Sequence, residues 1–124
     1  MGAKVVHFEV VTSGNADELQ NFYSEVFGWN VQKTEVPGGP PINYGLVSAD
    51  DAGIGGGIGG TPDPGMPSHV TFYIQVPDPA ATLKEIESRG GSTLMGPETI
   101  VPGTTIALFQ DPQGNMIGLT RAAE

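Results

Sequence analysis

A chain of 124 residues has the length of one compact domain and can bury enough surface for a real core. Fourteen acidic residues stand against five basic ones, a formal net charge of −9, which repels phosphate backbones and sets nucleic acid aside as a partner. There is no cysteine, hence no disulfide, thiolate ligand or cysteine nucleophile. The N-terminus lacks a basic-then-apolar leader pattern and no apolar run approaches the ~20 residues of a membrane span, so the expectation is no membrane and a cytoplasmic location.

In chain order, Lys4 to Val11 predicts a strand. Alternation puts His7, Glu9 and Val11 on one face and Val6, Phe8 and Val10 on the other, the face for a helix to cover. Asn15 is a good N-cap with Glu18 three positions on, and Leu19, Phe22, Tyr23, Val26 and Phe27 form an apolar stripe at helical spacing. Gly28 is the expected stop. Trp29–Val36 and Ile42–Ser48 predict strands around a turn at Pro37–Pro41, and Asp50–Gly53 predicts another turn.

Ile54–Gly60 predicts a fourth strand, whose glycines imply a bulge or a close approach by another group. Its formal match to G-x-G-x-x-G is not a dinucleotide site, because the proline-rich Thr61–Gly65 that follows cannot open a helix.

The same order then repeats. His69 and Gly90 stand 62 positions after His7 and Gly28. Ser68–Ile74 predicts a strand with His69, Thr71 and Tyr73 on one face and Val70, Phe72 and Ile74 on the core face. Asp78 caps a helix that has Pro79 at its first position, Leu83 and Ile86 on its apolar side, and Gly90-Gly91 at its end. Thr93–Met95 predicts a short strand, Pro97–Gly103 a loop, Thr104–Gln110 a strand, Asp111–Asn115 a tight turn and Met116–Arg121 the last strand.

The expected fold class is therefore α+β: two tandem β-α-β-β-β modules, about 4–60 and 68–121 with a linker at 61–67, forming one domain. Mixed sheets would curve around a cavity lined by the faces that carry His7, Glu9, His69, Thr71 and Tyr73, with the helices outside.

The tandem order, Phe22-Tyr23 followed by Phe27-Gly28-Trp29, and Asp111-Pro112-Gln113-Gly114-Asn115 before the last strand resemble the vicinal oxygen chelate superfamily of glyoxalase I, bleomycin-resistance proteins and extradiol dioxygenases. The Phe-Tyr…Phe-Gly-Trp form most resembles its small glyoxalase-like members. The resemblance implies metal ligands on the first and last strands of each module. His7 and His69 match the first-strand positions. The carboxylate positions fall on Gly118 and, by the repeat offset, on Gly56. The ligand set is then incomplete.

Three readings stay open. The first is a small organic molecule bound in the cavity without the full ligand set. Tyr44, Thr71, Tyr73, Phe109 and Gln110 would contact it, and Trp29 and Asn43 are further candidates for its wall and its orienting hydrogen bonds. The second is a metal-dependent lyase or dioxygenase-like enzyme in which His7, His69 and Glu9 hold a divalent ion (zinc, nickel, iron or manganese), with Glu9 as ligand or general base. The third is a non-catalytic interaction subunit. A homodimer is expected in each.

Overall fold

The computed structural model describes residues 2–34, 43–61, 65–101 and 103–121. The fold is α+β. Its elements run β1 (Lys4–Thr12), α1 (Ala16–Phe27), β2 (Gln32–Thr34), β3 (Tyr44–Val47), α2 (Ala49–Ala52), β4 (Gly55–Gly60), β5 (His69–Val76), α3 (Pro79–Ser88), β6 (Ser92–Val101), β7 (Thr104–Gln110) and β8 (Met116–Arg121). The expected turn at 37–41 and part of the 61–67 linker lie outside the described residues. Among the described residues no helix is long and apolar enough to cross a membrane. The chain divides into two compact units, residues 7–70 and residues 71–124 with 1–6.

In the 7–70 unit the strand order is β2-β3-β4-β1, antiparallel except for the parallel β1–β4 pair. The Asn15 side chain accepts from the Glu18 N–H at 3.0 Å, so α1 starts where the capping pattern predicts. Gly28 ends it in the left-handed region at φ 75°, its N–H donating to the Ser24 carbonyl.

The buried side of α1 differs from the expected stripe. Ala16 and Gln20 are buried and Tyr23 half-buried, whereas Phe22, Val26 and Phe27 are more than half exposed. The cause lies beneath the helix. A Cβ at Gly45 would come within 2.3 Å of Val31 and 3.2 Å of Gln20 Nε2, so the glycine admits a close approach. There Gln20 Nε2 donates to the Ile58 carbonyl (2.8 Å) and to Asn43 Oδ1 (3.1 Å). A polar anchor on a small-residue surface, not the apolar stripe, sets the helix's rotation. Trp29 closes the end of α1, stacked on Tyr23 at 5.6 Å and tilted against Phe8 at 5.5 Å.

The expected turn at 50–53 is instead the one-turn helix α2. The Ser48 side chain accepts from the Asp51 N–H, and Gly53 takes φ 92° after it.

In the other unit the order is β5-β8-β7-β6, with β5 and β8 parallel. Asp78 caps α3 by accepting from the Ala81 N–H at 3.2 Å. Leu83 packs into a core of Val76, Ala107, Phe109 and Leu119, flanked by Ile74, Ile86 and Ile117. Two expectations are corrected here. The 97–103 segment is not a plain loop, because β6 continues through Pro97 to Val101 against β7, with register shifts that let the proline sit off the ladder. The start of β5 is also not buried on the expected face, since Thr71 and Tyr73 are buried while Val70 and Phe72 are exposed. The core beside α3 reaches only as far along the strand as Ile74 and Val76.

Candidate functional site

Strand register decides which residues share a face. In the 7–70 unit His7, Glu9 and Val11 lie opposite Gly55, Gly57 and Gly59 of β4, and Gly57 and Gly59 in turn lie opposite Leu46 and Tyr44 of β3. These residues form the sheet face turned away from Phe8, Val10 and Ile58. Glycines leave this face flat. A Cβ at Gly57 would fall 1.9 Å from Tyr44 Oη, and one at Gly59 2.8 Å from the Tyr44 ring. The Tyr44 side chain therefore lies along the glycine strand, which answers the sequence's question of what approaches it closely.

The phenol reaches two of the sequence candidates. Tyr44 Oη donates to Glu9 Oε2 at 3.0 Å and stands 3.0 Å from His7 Nε2. A phenol has one proton to give. With that proton directed at Glu9, the Tyr44 oxygen is left to accept from His7, in the tautomer whose Nε2 carries the hydrogen. All three side chains are half-buried. Burial lowers the His7 pKa below the usual histidine value, which keeps the ring neutral at pH 7.

The other candidates are placed as follows. His69 is half-buried, with its Nδ1 2.9 Å from the Pro67 carbonyl, an acceptor only, so Nδ1 bears the proton. Thr71 is buried and donates to the Met116 carbonyl at 2.9 Å, a tie between β5 and β8. Tyr73 is buried with its ring over Gly118, where a Cβ would meet it at 2.3 Å. Gln110 shares that face through its pairing with Met116, and its Nε2 donates to the Gly114 carbonyl. Phe109 lies on the α3 side among Val76, Leu83 and Leu119, where it packs as core. Trp29 belongs to the aromatic cluster at the end of α1. Asn43 joins a network in which Asp17 accepts from both its Nδ2 (3.0 Å) and the Lys33 ammonium.

The ladders also revise the assignment of the glycines. β1 pairs with β4 at a separation of 48 residues and β5 with β8 at 45. A fixed offset of 62 thus fails to carry Gly118 onto its counterpart. Gly118 lies opposite Tyr73, and the first-unit residue opposite Val11, 62 before Tyr73, is Gly59. Gly56 lies opposite Phe8 on the helix side, where a Cβ would strike the Phe8 ring at 2.1 Å. The β4 positions that share the His7 face are Gly55, Gly57 and Gly59.

A divalent cation does not fit this arrangement. Among the described residues no three His, Asp or Glu side chains gather into a metal-holding group. His7 Nε2 and Glu9 Oε2 are both engaged by the Tyr44 hydroxyl.

Comparison with known proteins agrees with the architecture. The chain is 32% identical over 102 residues to proteins provisionally named glyoxylase CFP32 from Mycobacterium bovis and Mycobacterium tuberculosis; the match covers 82% of this chain and 38% of those proteins. It thus spans well under half their length. Among solved structures it superposes on methylmalonyl-CoA epimerase from Mycobacterium tuberculosis with a TM-score of 0.70 at 14% identity, covering 97% of this chain and 88% of that one. A superfamily member from Vibrio splendidus gives 0.64 at 18% identity, covering 98% and 100%. The model of the Glyoxalase/Bleomycin resistance protein/Dioxygenase superfamily matches residues 4–119, and the chain belongs to that superfamily.

Proposed function

We propose that the protein binds a small organic molecule on the His7–Tyr44–Glu9 face of its 7–70 unit, with no metal ion among the fixed parts of the site. The observation that supports this reading is the hydrogen-bonded row of imidazole, phenol and carboxylate laid on a floor of glycines. A few fixed polar groups of this kind are what orients a small ligand. The Glu9 carboxylate favours one that brings a cationic or hydrogen-donating group.

The test is a thermal-shift and ligand-observed NMR screen of amines and hydroxyl-bearing compounds. Binding weakened by roughly tenfold in Tyr44→Phe or Glu9→Gln, the worth of one charge-assisted hydrogen bond, is the expected result. No ligand across the screen, or equal binding by both variants, would sink the reading.

A second reading is a metal-dependent lyase, a chemistry found within the superfamily to which the chain and its glyoxylase-named relatives belong. Saturable uptake of zinc, nickel, iron or manganese by the wild type, lost in His7→Ala, would favour it. We propose a second copy of the chain as a partner, to be measured by sedimentation velocity; a single monomer boundary at all concentrations would exclude it.

A further inference from the structure

We infer that Tyr44 is a built-in occupant of the place between His7 and Glu9 where a cation would sit, and that it makes this site refractory to divalent metals. The hydroxyl is 3.0 Å from His7 Nε2 and 3.0 Å from Glu9 Oε2. The phenol oxygen thus stands within hydrogen-bond reach of both groups that a cation at this place would have to engage. The phenol also supplies what such an ion would. Its proton meets the carboxylate and its oxygen receives the imidazole N–H, so neither polar group is left bare.

Gly57 belongs to the same device. It is the β4 residue opposite Glu9, on the His7 face, and a Cβ there would fall 1.9 Å from Tyr44 Oη. A side chain at this position, a carboxylate included, and the phenol in its present place exclude each other. The glycine strand and the tyrosine are thus two halves of one arrangement.

The inference concerns metal affinity and is read independently of organic-ligand binding. The experiment is calorimetric titration of the intact chain with nickel and zinc ions. The wild type should show no saturable uptake at His7. Tyr44→Ala and Tyr44→Phe should each gain a single site at least roughly tenfold tighter, the scale on which partners of ligand groups alter metal affinity. That gain should vanish when His7→Ala is added.

Gly57→Ala, which pushes the phenol aside without removing it, should reproduce the gain. It keeps the test alive should the Tyr44 variants lose their cooperative melt. Stoichiometric metal in the wild type that His7→Ala abolishes would overturn the inference. So would folded Tyr44 and Gly57 variants that bind no better than the wild type. A chemical-shift change confined to the His7 ring on metal addition to the variants gives the second readout.

Discussion

The side chain of Tyr44 depends on two glycines in different ways. At Gly57 the atoms nearest an added methyl belong to the far end of the phenol, which can swing away. At Gly59 it meets the Asn43 carbonyl at 2.4 Å and the Tyr44 Cα at 2.9 Å, which are backbone atoms and cannot. Gly59→Ala should therefore cost about 1–3 kcal/mol by overpacking, and Gly57→Ala clearly less, in urea unfolding monitored at Trp29. Equal costs would show that Tyr44 is clamped along its whole length.

At this scale the sequence was partly legible. Alternation placed His7 and Glu9 on one face, and the glycines announced a close neighbour. That the neighbour is Tyr44 depends on the β3–β4 register, which no local pattern encodes. Which face Phe109 joins was not legible, because alternation separates two faces of a strand without saying which one the helix covers. Its burial among Val76, Leu83 and Leu119 predicts that Phe109→Ala costs about 3–5 kcal/mol, measured by the same unfolding. A loss under ~1 kcal/mol would return it to the surface and to the list of ligand contacts.

Among the elements, α1 is the most instructive. Its ends were legible, because a cap and a glycine stop are local chemistry: Asn15 accepts from Glu18 and Gly28 is left-handed. Its rotation was not. Five apolar residues at helical spacing pointed to one buried face, yet Gln20 is buried and Phe22 exposed. The winning interaction is long-range, from Gln20 to the carbonyl of Ile58, 38 residues away. Gln20→Ala leaves that carbonyl and Asn43 Oδ1 without this donor, and should cost about 1–3 kcal/mol. Gln20→Glu should be worse, since it sets a carboxylate against the carbonyl. An unchanged denaturation midpoint for Gln20→Ala would mean that the apolar stripe positions the helix after all. The same limit explains β6. Pro97 and the residues after it read as a loop, but pairing with β7 extends past Pro97 by register shifts.

Over the whole molecule, the tandem order of elements and the family were legible because they repeat, and the exact equivalence of the repeats was not, because the two parallel ladders differ in span. Charge acts at this scale too. With 14 acidic and 5 basic residues, acidification neutralises the dominant charge, yet the resolved shifts point to instability in acid. Burial lowers the His7 pKa. Asp17 is lowered by the Lys33 and Asn43 hydrogen bonds. Asp111 is lowered by the backbone and side-chain donors of Asn115. In each case the unfolded chain binds protons more readily than the folded one, so stability rises with pH.

The windows are separate. The His7 contribution is fully present above pH 6.5 and is lost as the pH falls through its lowered folded value; the aspartates follow only below pH 3.8. Urea midpoints should therefore be level above pH 7, decline from about 6.5 downward, and decline again below about 4. His7→Gln removes the titrating ring while keeping a donor for Tyr44, and should flatten the first decline without touching the second. A first decline of equal size in His7→Gln would assign it to another group and leave the buried imidazole with no part in the acid response.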